Sequence, residues 1–189
     1  VTREDGRQFL HFAITGCALL LLWVPPWVGW AACAAAILVQ WVVLPLAGMR
    51  VGLEREGERW VSGLKMYPIA VLVVLVAFRN DLATAVAAWG VMGVGDAASN
   101  LIGRNFGTPG LLGRQDRSLL GSFAFLVTAW PAAWALACVV GKMPMDEAWL
   151  PALVAAVAGT LAELLPLQRW IDDNFPIALA AALAFHFAR

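Results

Sequence analysis

Asp96 stands in the run Gly93-Val-Gly-Asp-Ala-Ala-Ser-Asn-Leu-Ile-Gly103-Arg-Asn-Phe-Gly107, deep inside an otherwise apolar stretch. An isolated carboxylate there costs about 3 kcal/mol on membrane-insertion scales, so it marks a functional site by default. On a helix, Asp96, Ser99, Asn100 and Gly103 recur at spacings of three and four and share one face. A carboxylate, a hydroxyl, an amide and a bare backbone on one face can hold a cation or a phosphate. The structural alternative is a cap for a half-helix begun at Gly93 and Gly95, or a partner for a lone arginine. The stretch that follows carries Gly103, Gly107, Gly110, Gly113 and Gly121 together with Arg104, Arg114 and Arg117. Glycines let backbone N–H groups approach phosphate oxygens, arginine forks neutralise them, and a helix opening at Ser118 to Ser122 would add its N-terminal N–H groups. A nucleoside triphosphate fits this chemistry, although no Walker lysine pattern is present and the same arginines also satisfy the positive-inside rule. Further on, Glu163 ends an apolar run and Asp172-Asp173-Asn174 precedes Phe-Pro. Asn174 can cap the helix with Pro176 in its first turn, while paired carboxylates are how proteins hold Mg²⁺. Arg7 and His11 lie one helical turn apart and suit a phosphate or a headgroup.

These residues need a scaffold, and the composition says which kind. The chain has 189 residues, 61% hydrophobic and 14% charged, and a mean hydropathy of +0.76. That is too much apolar side chain for one soluble core, which implies an integral membrane protein. Thirteen basic and thirteen acidic residues cancel, leaving no basic face for nucleic acid. Cys17, Cys33 and Cys138 sit in apolar runs without metal or redox spacing. A helix needs about 20 apolar residues to cross the hydrocarbon. Seven candidate segments emerge: 9–24, 27–46, 66–78, 82–102, 119–140, 149–167 and 175–187, the third and last being short. The first continues straight into a second span, unlike a cleaved signal peptide. Of the 13 lysines and arginines, ten (Arg3, Arg7, Arg50, Arg55, Arg59, Lys65, Arg104, Arg114, Arg117, Arg169) fall on one side and three (Arg79, Lys142, Arg189) on the other. The positive-inside rule then places the N-terminus in the cytoplasm and the C-terminus outside. Residues 1–189 are expected to form a single all-α, membrane-embedded catalytic domain whose polar clusters converge on the cytoplasmic side. Most of the ten tryptophans read as an interfacial belt, and His186 has no assigned role.

Five pieces, in order, resemble the polyprenol kinase family of dolichol, phytol and farnesol kinases and CTP-dependent diacylglycerol kinases. They are Arg7-Gln-Phe-Leu-His11, Gly63-Leu-Lys-Met-Tyr67-Pro68, Gly95-Asp96 with Gly103-x-x-Phe106-Gly107, Arg117-Ser-Leu-Leu-Gly-Ser122, and Glu163-Leu-Leu-Pro-Leu-x-x-x-x-Asp172-Asp-Asn174. The resemblance implies transfer of the terminal phosphate of CTP, with Mg²⁺, to the hydroxyl of a membrane lipid alcohol. On that pattern Asp96, Glu163 and Asp173 are catalytic, and Asp96, Asp172 and Asp173 hold the metal. Gly95, Asn100, Gly103, Arg104, Gly107, Arg114, Arg117, Ser118, Gly121 and Ser122 bind the nucleotide. Arg7, His11, Lys65, Tyr67 and Asn174 contact substrate or phosphate. Two departures stand out: Leu120 replaces the family's glutamate, and Gln8 replaces its lysine. Phosphatidate cytidylyltransferases share some of these themes and give the alternative of a CDP-lipid synthase. A non-catalytic lipid-binding or transport protein is the alternative of another class. The expected location is the plasma membrane of a bacterium or archaeon, and a homodimer is compatible with the sequence.

Overall fold

The computed structural model describes residues 3–49, 63–165 and 172–189. Helix α1 (Arg3–Gly16) tightens into a 3₁₀ turn at Cys17–Leu22, and α2 (Pro26–Leu38) runs through a π turn, Val39–Val43, into the short α3 (Leu44–Leu46). Pro26 starts α2 where a missing N–H costs nothing. Helix α4 (Gly63–Ala77) follows, then α5 (Leu82–Gly90), a π segment at Val91–Gly95, and α6 (Asp96–Phe106). A hairpin of β1 (Pro109–Leu111) and β2 (Arg114–Ser118) leads to α7 (Leu119–Val139), α8 (Met145–Leu164) and α9 (Asn174–Phe187).

Four helical stretches, Pro26–Leu46, Leu82–Phe106, Leu119–Val139 and Met145–Leu164, are long and apolar enough to cross a membrane, and Gly6–Leu22, Lys65–Ala77 and Asn174–Phe187 are shorter apolar helices. Apolar helices therefore stand at each of the seven expected places, four of them of full spanning length. Helix α8 begins at Met145 rather than at Trp149, because Pro144 is extended and Asp146 and Glu147 in the first turn complement the helix dipole.

The all-α expectation needs one correction. The glycine- and arginine-rich stretch expected as a loop contains an antiparallel hairpin with Pro109 opposite Ser118 and Leu111 opposite Arg114. Gly110 (φ +110°) and Gly113 (φ +76°) make the reversal possible, and Leu112 between them is itself left-handed (φ +52°). Ser118 then caps α7, its Oγ accepting the Gly121 N–H at 3.0 Å.

The α5–α6 helix is the axis of the fold, with every residue from Ala83 to Gly93 buried. Helices α7, α8 and α9 pack around it and against one another, burying Ala129, Ala133 and Ala137 of α7, Ala148, Ala152, Ala155 and Ala156 of α8, and Ala178, Ala181 and Ala182 of α9. Small side chains let helix backbones approach closely where hydrocarbon gives no hydrophobic drive to association. At the other extreme, Pro26–Leu46 buries Cys33 alone.

Candidate active site

The π segment shapes the first half of the site. One residue more per turn re-aims the helix just before Asp96, a device frequent at functional sites. Gly93 leaves room for Thr15 Oγ1 and the Tyr67 hydroxyl, and Gly95 for the Phe125 ring, which a Cβ would meet at 2.7 Å. Asp96 is thereby buried, with Oδ1 accepting from Asn100 Nδ2 at 2.9 Å. Its Oδ2 faces His11 Nδ1 at 3.8 Å. The His11 ring lies 4.7 Å from that of Tyr67. The Tyr67 hydroxyl accepts from Trp89 Nε1 at 3.0 Å and shares a 2.8 Å hydrogen bond with Thr15 Oγ1.

Arg117 organises the second half. From β2 its guanidinium donates to Glu163 Oε1 at 2.6 Å on α8 and to Asp173 Oδ2 before α9, while Ser99 of α6 donates to the same Glu163 oxygen. Arg117 is 5% exposed and Glu163 0%. Burial opposes the charge of Arg117, but Glu163 and Asp173, helped by Asp96 and Asp116, more than offset this and hold the guanidinium protonated beyond its usual range. Close backbone approach brings β2 and α7 against α6: Gly103 and Gly121 face each other, and a Cβ on either would lie 3.1 Å from the other's Cα. The Ser118 hydroxyl lies 3.4 Å from the Gly103 carbonyl.

Asp172 accepts from the Asn174 backbone N–H at 3.1 Å and from its side chain at 2.6 Å. Burial pushes the Asp172 carboxyl up, and the nearby charge of Asp96 adds to that, against the Asn174 hydrogen bonds and Arg7. Among the described residues no three His, Cys, Asp or Glu side chains are grouped as a metal cage. Mg²⁺ does not need one, since it is held by one or two carboxylates plus phosphate and water. The repulsion between Asp96 and Asp172 is the kind of charge arrangement a divalent cation relieves, so the residues fit that group.

Of the residues expected from the sequence, His11, Asp96 and Asn100 come together, as do Arg117, Glu163 and Asp173, with Ser118, Gly103, Gly107 and Gly121 in one contact. Gly95 ends the π segment, while Arg7, Ser122 and Asn174 are buried. Arg104 is exposed in the last turn of α6, Lys65 is half-buried in the first turn of α4, and the side chain of Arg114 lies outside the described residues. Tyr67, expected to touch substrate, is 1% exposed and engaged by Thr15 and Trp89. Sequence reasoning placed Ser99 on the face of Asp96 but missed its bond to Glu163, and it passed over Thr15 and Trp89. Thr15 had a usable signal, one turn beyond His11 on the same helix.

The fold and site together define a helical, membrane-type protein with a buried cluster of acidic and basic groups at one end. No protein-family model matches the chain, and no solved structure does. Among curated proteins, it is 28% identical over 138 residues to a probable phytol kinase, chloroplastic, of Triticum aestivum, covering 69% of this chain and 46% of that protein. The farnesol kinase, chloroplastic, of Arabidopsis thaliana is 28% identical over 138 residues, 70% of this chain and 45% of its own. Phytol kinase 1, chloroplastic, of the same plant is 29% identical over 144 residues, 72% and 47%. The chain thus spans about half the length of the curated relatives it matches. These relatives support the polyprenol kinase assignment that the five motifs imply.

Proposed function

We propose that this chain transfers the terminal phosphate of a nucleoside triphosphate, CTP in our reading, to the hydroxyl of a membrane lipid alcohol at the cytoplasmic end of the bundle. The observation that carries the reading is the buried Asp96, Arg117, Glu163 and Asp173 cluster, drawn from α6, β2, α8 and the start of α9, in a chain whose relatives are named as phytol and farnesol kinases. Phosphoryl transfer asks a protein mainly for positioning and charge neutralisation. Arg117, with Arg104 and Arg114 from either side of the hairpin turn, is the cationic clamp for the triphosphate. Gly103, Gly107, Gly121, Ser118 and Ser122 form the tight backbone against which phosphates lie. Asp96, Asp172 and Asp173 would hold Mg²⁺, which supplies neutralisation of the β- and γ-phosphate oxygens when bound. Glu163 is engaged by Arg117 and Ser99, so orienting the acceptor hydroxyl falls to Asp96.

The test supplies purified protein with γ-labelled CTP and, in turn, farnesol, phytol, dolichol and diacylglycerol. Label in the lipid with release of CDP is expected. Label entering lipid only from the α position of CTP establishes cytidylyl transfer instead and overturns the reading.

A further inference from the structure

We infer that His11 is the group that grips the acceptor hydroxyl, an assignment that rests on the lipid alcohol kinase reading above. His11 is 1% exposed, and neither ring nitrogen makes a hydrogen bond among the described residues. A neutral imidazole carries one donor and one acceptor, and burying both unmet is costly unless a ligand completes them. The ring is held where it is. It leans on Tyr67 at 4.7 Å, and the Tyr67 hydroxyl is fixed by Trp89 at 3.0 Å and Thr15 at 2.8 Å and lies 3.4 Å from the His11 carbonyl.

The neighbourhood selects the ligand. Nδ1 is 3.8 Å from Asp96 Oδ2, beyond a direct hydrogen bond. A hydroxyl, whether of an alcohol or of the water it displaces, can accept from an imidazole N–H while donating to a carboxylate. A phosphate oxygen only accepts, so it cannot also donate to the Asp96 carboxylate. Arg7, the cation on the same helix, acts on both Asp96 and Asp172. Of the Arg7 and His11 pair, expected to suit a phosphate or a headgroup, His11 thereby serves the alcohol.

The chain has two histidines, so ¹⁵N-histidine labelling of the full chain in lipid nanodiscs reads the site directly. His186 is the internal control, 3.0 Å from Asp81 on the opposite end of the bundle. Adding farnesol, or phytol in a parallel sample, is expected to shift the His11 ring resonances and leave those of His186 in place, both without nucleotide and in the presence of CTP and Mg²⁺. Kinetically, His11→Phe keeps a ring against Tyr67 and is expected to raise the KM for the alcohol at least tenfold with the KM for CTP unchanged. His11 resonances that respond to CTP and to neither alcohol overturn the assignment, as does an unchanged alcohol KM in a folded variant. The titration uses the unmodified chain, so it decides the assignment even where His11→Phe fails to fold. Failure of the kinase reading looks different: γ-label then reaches no alcohol, while the farnesol titration still decides whether His11 holds a hydroxyl.

Discussion

At the scale of single residues, the site is governed by how its charges are neutralised. Arg117 answers three carboxylates, Glu163, Asp173 and, at 3.6 Å, the exposed Asp116, and Glu163 beneath it is fully buried. Removing one member of such a buried set leaves a bare charge, at a cost of roughly 3–5 kcal/mol. Arg117→Met is expected to lower stability by about that amount in denaturant titrations of the detergent-solubilised protein, and the double variant Arg117→Met, Glu163→Met to recover much of it. Equal losses for single and double variants would show that the ion pair is not what holds these segments. Asp96→Asn keeps the shape and the place of the carboxylate. Phosphoryl transfer is expected to fall by a factor of roughly 10²–10³ while the unfolding transition stays put, as for loss of a main electrostatic element. A stable Asp96→Asn variant with ordinary turnover would return Asp96 to a capping role. The two residues were unequally legible in the sequence. Asp96 announced itself, because an acid inside an apolar run has few bland explanations. The hydrogen-bonding partners of Arg117 lie 46 and 56 positions away, and no local spacing encodes a contact that only the packing of β2 against α8 and α9 creates.

Among the elements, length and hydropathy carried the helices, while turn chemistry was underread. The hairpin at Pro109–Ser118 hid in a glycine-rich stretch that also looked like a phosphate loop. The π segment at Val91–Gly95 left no periodicity signal of its own. The far end of the bundle holds a contact between residues more than a hundred positions apart, which no local pattern announces. Asp81 caps α5 through Thr84 N at 3.3 Å and Oγ1 at 2.7 Å, and it also pairs with His186 at 3.0 Å and with Arg189. Burial alone would raise the Asp81 carboxyl, but the Thr84 and His186 hydrogen bonds and the Arg189 charge outweigh it and set it below its ordinary value. A carboxylate with a lowered folded-state pKa contributes fully above its unfolded value, about 3.9, and that contribution disappears as pH falls through the lower folded value. The melting temperature is therefore expected to drop on acidification below about pH 4 by less in Asp81→Asn than in the parent. Parallel acid profiles in thermal scans would mean that the clasp between α5 and α9 carries no stability.

For the whole molecule, the question is which way the bundle faces. Large apolar side chains such as Phe9, Leu20, Trp27, Leu46, Leu119 and Phe123 are exposed around it, the surface expected of helices in lipid rather than in water. The apolar helices were legible because a bilayer imposes a length on a spanning helix, a length four of them reach, whereas which helix sits at the centre was not. Leu82–Phe106 and Pro26–Leu46 are both long and apolar enough to cross a membrane, yet one is the buried axis and the other lies almost wholly outside the core. Among the described residues, basic side chains sit at both ends of the bundle. Arg79 and Arg189 flank the Asp81 clasp, and the turn bearing Lys142 touches the same end, because Gly141 lies against Ala83. Arg104 and Arg117 belong to the opposite end, with the hairpin. On the proposed reading, the positive-inside rule predicts that the hairpin faces the cytoplasm. Thr108 next to β1 and Asp146 in the first turn of α8 are both exposed and report on the two ends. With Cys17, Cys33 and Cys138 replaced by alanine, Thr108→Cys is expected to resist a membrane-impermeant maleimide in intact cells and to react once they are opened. Asp146→Cys is expected to react in intact cells. The reverse pattern would turn the bundle over, place the Asp96 and Arg117 cluster on the outer face, and take with it the assignment of cytoplasmic CTP as the phosphate donor.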